Sequence, residues 1–269
     1  MADYHNLTIE LAEGVAVLTL NRPDKLNSLD GNLLRELSAS LGELNADENV
    51  KALVITGAGR AFCSGADLTS TSSGADKRQA GITRSERIEP FVNFGRVVRR
   101  IEEFTRPIIA AVNGIASGAG LALALSADIR FASENATFSA IFVKRGLVPD
   151  CGTSYYLPRL AGVSNALHVL WTGDVIKADE ALRMNMVNFV VPHDKLMDSA
   201  REYALRLARG PSLSIEMIKR MTYAGLKTDS VHTQMGIESY MQQVCYESED
   251  VVEGITSFLE KRPPKFKGK

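Results

Sequence analysis

The chain has 269 residues, 45% of them hydrophobic, and a formal net charge of −1. That supplies a sizeable core, and a nearly neutral chain offers no field to attract nucleic acid or an anionic membrane surface. Cys63, Cys151 and Cys245, like His5, His168, His193 and His232, are too dispersed for metal-ligand spacing; the odd cysteine count fits a reducing cytoplasm. Apolar runs stop short of the roughly eighteen residues of a membrane span, and residues 1–12 hold no signal-peptide core.

His5–Leu11 and Val15–Leu20 read as two strands joined at Glu13-Gly14, a hairpin signal. Asp30 is placed to cap a helix whose Leu34, Leu37, Leu41 and Leu44 form one stripe, and Lys51–Thr56 is a short buried strand. Strand, helix, strand in this order predicts a right-handed crossover and a largely parallel sheet. Residues 69–85 are polar and aperiodic and read as a mobile surface loop. A helix from about Glu86 to Phe104 buries Phe91, Phe94, Val97, Val98 and Ile101. Pro107–Val112 is a buried strand, followed by glycines 114, 118 and 120 and an apolar helix over about Leu121–Ala127. Asp128–Ala132 and Thr137-Phe138 are further strands, and Gly146–Gly162 is turn-rich. Beyond Val163 the chain is mainly helical: Asn165–Trp171, Ala178–Met184, Leu196–Arg209, Ser212–Leu226, Val231–Tyr246 and Asp250–Lys261, with one strand at Val187–Val191. A basic tail with Lys261, Arg262, Lys265, Lys267 and Lys269 lies on a surface. The organisation is an α/β core over 1–195 with a helical region over 196–269.

Two stretches share one design. In each, a strand runs into small residues, Ser64-Gly65-Ala66 and Ser117-Gly118-Ala119-Gly120, and a helix start follows. Helix starts expose unpaired backbone N–H groups, and glycine permits close approach. Two such turns in one sheet can aim two N–H groups at one oxygen, an oxyanion hole; two ordinary tight turns would look the same locally. Neither has the Lys-Ser/Thr of a phosphate loop.

The segments NRPDKLNSL (21–29), ITGAGRAFCSGADL (55–68), RPIIAAVNGIASGAGLALALSADIRFAS (106–133) and GLVPDCGTSYYLPRLAG (146–162) resemble the crotonase family, the enoyl-CoA hydratases and isomerases. The resemblance spans nearly the whole chain. It implies an α/β spiral of ββα units in two roughly perpendicular sheets, a C-terminal helical trimerisation region, and a homotrimer or dimer of trimers. It implies an acyl-CoA substrate whose coenzyme A arrives with it, and no other cofactor or metal. By motif position the thioester oxygen would sit between the N–H groups of Ala66 and Ala119. Gly65 and Gly118 would shape the hole, Asp67 and Leu68 would receive adenine, and Lys25 and Leu26 would follow the pantetheine and phosphates. The basic tail would reach CoA phosphates or remain solvated.

Hydratases of this family carry two glutamates that manage water; their positions here hold Ala122 and Phe142. The carboxylate left is Asp150, where several isomerases of the family place their acid/base, and 142–162 with the C-terminal ending is similar to ring-epoxide phenylacetyl-CoA isomerases. An apolar setting from Ile141, Phe142, Leu147 and Val148 would raise its pKa. Pro149-Asp150 is also a helix-start signal, with the carboxylate serving backbone N–H groups. Four functions follow: an isomerase using Asp150, with Phe142 against the substrate; an aryl-CoA dehalogenase or hydrolase using Asp150 as nucleophile; a hydratase recruiting Glu134; and a non-catalytic CoA-binding subunit. Asp128 reads as structural, Asp67 as a helix cap, and Cys63 and Cys151 as small buried hydrophobes.

Overall fold

The computed structural model describes residues 4–67 and 94–268. Strand β1 (Leu7–Ala12) turns back antiparallel onto β2 (Val15–Leu20) through Glu13 and Gly14, at φ 48° and 81°. Two successive positive φ values give a turn whose twist matches its strands. Helix α1 (Gly31–Ala46) follows, capped by the Asp30 carboxylate, which accepts from the Asn32 and Leu33 N–H groups. Its buried row is Leu33, Leu37, Leu41 and Leu44; Leu34, placed in that row by the sequence pattern, stands one helical step aside and is half-buried. The chain returns as β3 (Ala52–Gly57), parallel to β2.

From β3 onward each turn contributes one strand to each of two sheets. β3 leads to β4 (Ala61–Cys63); β5 (Ile108–Val112) to β6 (Ile115–Ser117); β7 (Ile129–Ser133) to β8 (Thr137–Ser139). Helix α2 (Phe94–Glu103) precedes β5 and α3 (Ala119–Ser126) follows β6. After β8 come α4 (Thr153–Ala161), α5 (Val163–Thr172), β9 (Ile176–Lys177), α6 (Ala178–Arg183) and β10 (Phe189–Val191). The large sheet has the order β1-β2-β3-β5-β7-β10, and the small one β4-β6-β8-β9. This is a spiral of ββα units. The turn-rich stretch 146–162 contains α4, with Pro158 inside it, and the small sheet holds, besides the strand expected at Thr137-Phe138, three that the sequence pattern does not mark, β4, β6 and β9. The loop expected at 69–85, and the helix start with Phe91, lie outside the described residues.

The central strands are buried on both faces, which is why they read as unbroken apolar runs. Ala16, Leu18, Leu20, Leu53, Ile55, Ala110 and Val112 join the main core with α1, α2 and α3. Val15, Val17, Ala52, Val54, Ile109 and Ala111 pack instead on Leu196, Ala200 and Ala204 of α7 (Leu196–Ala208). So α7, the first helix of the 196–269 region, lies against the large sheet.

Beyond it run α8 (Ser212–Gly225), α9 (Val231–Tyr246) and α10 (Glu249–Leu259). Asp128 fastens α8 to the sheet: its carboxylate accepts from the Ile108 N–H at 2.7 Å and the Tyr223 hydroxyl at 2.8 Å and pairs with Lys219 Nζ at 2.7 Å. Burial holds the Lys219 ammonium below its ordinary value despite this partner. The tail turns back along α10, where Glu253 pairs with Arg262 and accepts from the Lys265 N–H, and Asp250 accepts from the N–H groups of Lys267 and Gly268. Among the described residues no helix is long and apolar enough to cross a membrane.

Candidate active site

The two small-residue loops meet. Leu29 donates to the Gly65 carbonyl at 2.8 Å, and the Asp67 N–H donates to the Leu29 carbonyl at 3.0 Å. This parallel bridge is completed by Ala66's neighbours, so the Ala66 N–H points the other way. In the second loop the Gly118 N–H donates to Ser139, and Ala122 donates to the Gly118 carbonyl. Ala119 therefore opens α3, where an N–H has no partner within its own helix. Neither the Ala66 nor the Ala119 N–H finds an acceptor among the described residues.

Glycine allows this approach. A Cβ on Gly65, whose φ is +100°, would lie 2.8 Å from the Ser117 carbonyl oxygen and 3.6 Å from the Ala119 nitrogen. A Cβ on Gly120 would lie 2.7 Å from the Cys63 carbonyl carbon and 2.8 Å from the Cys63 Cβ. The donors, though 53 residues apart in sequence, sit on loops in direct contact.

A cavity of about 450 Å³ opens in front of them. Of the residues singled out from sequence, it brings together Gly65, Ala66, Asp67, Gly118, Ala119, Phe142 and Asp150. Leu68 lies outside the described residues. Lys25, exposed, and Leu26, half-buried, are not among the lining residues; the Leu26 carbonyl accepts from the Ser64 N–H, which ties that segment to the first loop. Leu34, Phe94, Arg145 and Cys151 also line the cavity and had not been singled out for it. Leu34 is the leucine displaced from the buried row of α1. Another cavity, about 510 Å³, lies between α2 and α8, but Asp128 and Lys227 there are engaged with Lys219 and Glu102.

Among the described residues three carboxylates line the first cavity. Asp30 and Asp67 each approach Arg22 Nη2 at 3.1 Å, and Asp30 also caps α1. Arg22 further donates to the Ser28 carbonyl, clamping three segments. The helix that Asp67 was expected to cap lies beyond the described residues. Asp150 pairs with no cation among the described residues.

The setting of Asp150 differs from expectation in two respects. Its side chain does not cap α4: that helix is preceded by Gly152 at φ 80°, and only Asp150's carbonyl serves it, accepting from Thr153 at 2.9 Å. Nor is it enclosed. Asp150 is exposed, and Leu147 and Val148 are 57% and 80% exposed, because 147–150 crosses the cavity mouth as irregular chain. Its carboxylate accepts from the Cys151 thiol, Sγ to Oδ1 being 2.7 Å. Cys151 is thus more than a space-filler; burial, then Asp150, push its thiol well above the ordinary range. Cys63 is fully buried and pushed up to about 12 by burial.

The two positions that the resemblance assigns to the hydratase glutamates carry apolar residues. Ala122 is fully buried in α3, and Phe142 faces the cavity. Glu134 is not among the lining residues; its carboxylate accepts weakly from the His193 N–H at 3.4 Å.

A family profile described as enoyl-CoA hydratase/isomerase matches residues 10–269. The chain is 37% identical to the 1,2-epoxyphenylacetyl-CoA isomerase of Escherichia coli K12, covering 96% of each. It is 36% identical to the short-chain-enoyl-CoA hydratase of Clostridium acetobutylicum, covering 97% of each. Among solved structures, enoyl-CoA hydratase subunit I of Geobacillus kaustophilus superposes with a TM-score of 0.89 at 34% identity over all of both chains. The enoyl-CoA hydratase of Bacillus anthracis gives 0.88 at 33% identity over 98% of this chain and 100% of that one.

Proposed function

The chain belongs to the enoyl-CoA hydratase/isomerase family, and from that premise we propose that it is an acyl-CoA isomerase with Asp150 as its acid/base. One observation carries the choice. Among the described lining residues Asp150 is the carboxylate not held by a cation, while the positions where a hydratase keeps its glutamates hold Ala122 and Phe142.

In this reading the thioester oxygen lies between the Ala66 and Ala119 N–H groups. The Asp150 carboxylate removes a proton from the carbon α to the thioester. The C–H electrons shift toward the carbonyl, and the two donors hold the charge that develops on oxygen. The electrons then flow back, the double bond moves one position toward the thioester, and the protonated Asp150 returns its proton at the γ carbon. No atom is gained or lost, so one carboxylate suffices. One relative, named 1,2-epoxyphenylacetyl-CoA isomerase, supports an epoxide-bearing acyl-CoA as a second substrate class. Lys25, Leu26, Asp67 and Leu68 follow the CoA moiety.

Incubation with a 3-enoyl-CoA should yield the conjugated 2-enoyl-CoA, and Asp150→Asn should lower kcat by about 10²–10⁴-fold. Full activity in that variant refutes the role. The hydratase reading rests on relatives of that name, such as that from Clostridium acetobutylicum. Water addition to crotonyl-CoA decides it, and we expect it to be slow. The proposed assembly is a trimer or a dimer of trimers, supported by exposed apolar side chains on the last helices, Phe258 at 81% and Tyr240 at 68% among them.

A further inference from the structure

We propose that Cys151 is a positioning residue: its thiol holds one oxygen of the Asp150 carboxylate and leaves the other to work on substrate. The inference rests on the reading of Asp150 as the acid/base. Neighbouring side chains along a chain normally point apart, and here the backbone is bent to make them meet. Cys151 has φ 57° and Gly152 φ 80°, two successive left-handed residues of which the first carries a side chain. Such a conformation persists only where its surroundings enforce it.

Those surroundings are visible. The Gly152 carbonyl accepts from the N–H groups of Tyr155 and Tyr156, the Asp150 carbonyl from Thr153, and a Cβ on Gly152 would lie 3.0 Å from the Tyr156 ring. The start of α4 thereby fixes the turn, and the turn delivers the thiol to Asp150 Oδ1 at 2.7 Å. Oδ2 has no protein partner among the described residues. Both residues line the cavity.

The chemistry explains the use of a thiol. Asp150 stands at an open rim, with no ion pair among the described residues to orient it, yet must meet two carbons of one substrate in turn. A neutral donor steadies the carboxylate without neutralising it. Cys151 keeps its own proton, since burial beside Asp150 disfavours the thiolate, so it does not compete for the proton in transit.

The test uses Cys151→Ala and Cys151→Ser, each also combined with Asp150→Ala, assayed for 3-enoyl-CoA isomerisation with kcat and KM separated. Cys151→Ala should lower kcat about tenfold with KM within about twofold, because misorientation of a reacting group acts on the transition state. Serine, which also donates, should recover most of the loss. In the Asp150→Ala background the same cysteine change should alter the residual rate less than about twofold, the signature of two residues acting as a unit. An unchanged kcat in Cys151→Ala, or the same loss with and without Asp150, overturns the positioning role and leaves the acid/base reading intact. Full activity in Asp150→Ala alone overturns that reading and the inference with it.

Discussion

Gly65→Ala tests whether the contact between the two donor loops is what builds the site. The substitution meets two costs. At φ +100° an alanine backbone is strained by about 1–3 kcal/mol. Its Cβ would also lie 2.8 Å from the Ser117 carbonyl oxygen, roughly 0.6 Å inside ordinary contact. The protein can relieve this only by moving the first loop away from the second, which separates the Ala66 and Ala119 N–H groups by a similar distance. Donors displaced from the developing oxyanion lose most of their differential effect, and loss of a single such donor costs about 2.7–4 kcal/mol, or 10²–10³ in kcat. Following 3-enoyl-CoA isomerisation should therefore show kcat down by about 10²-fold with KM little changed, and a thermal melt should show a folded protein with a lowered Tm. A kcat within about threefold of the parent, in a protein that melts cooperatively, would refute the idea that the interlocked loops create the hole.

Other consequences are equally accessible. Asp128→Ala strands Lys219, whose side chain is 12% exposed, and removes the acceptor for Ile108 and Tyr223; chemical denaturation should show a loss of about 3–5 kcal/mol. Glu253 is held down to about 2 by Arg262 and the Lys265 N–H, below its ordinary 4.5. Because the folded value is the lower one, this contribution is complete above about pH 4.5 and is lost as pH falls toward about 2. Exchange of the Lys265 amide, measured across that window, should lose its protection at the acid end, and Glu253→Ala, which removes the acceptor, should lose it at every pH. Since the thiolate is the nucleophile, iodoacetamide at neutral pH should leave Cys63 and Cys151 largely unmodified; rapid stoichiometric labelling of Cys151 would contradict its protonated, hydrogen-bonded state.

The sequence was legible where a signal was local and repeated. Glu13-Gly14 specifies its turn chemically, Asp30 caps α1 as its type predicts, and apolar runs such as 108–112 mark strands covered on both faces. The small sheet was legible only at Thr137-Phe138, which marks β8; β4 and β6 have three residues each and β9 two, too few for alternation to show. Helix α4 was obscured by Gly152 and Pro158, residues that usually break helices; here the first precedes the helix and the second costs one hydrogen bond in its later half. Arg22 between Asp30 and Asp67 joins residues up to 45 positions apart, and no spacing announces such a clamp. The exposure of Asp150 was hidden for a related reason. An apolar stretch such as Leu147-Val148 states what a residue can cover, and tertiary placement decides whether it does.

The contact between Gly65 and the second loop also bears on how the protein acquires activity. The donors belong to successive turns of the spiral, and the loops that carry them are held together by parallel pairing of β4 with β6 and by the packing of Gly120 on Cys63. Parallel strands distant in sequence pair slowly, because a long loop must close before any contact rewards it. No fragment ending before residue 119 contains both donors, and a collapsed intermediate with native helices but an unclosed spiral would hold neither in place. Recovery of turnover during refolding should consequently lag behind recovery of helix content. Enzyme activity is then a clock for the closing of the spiral itself.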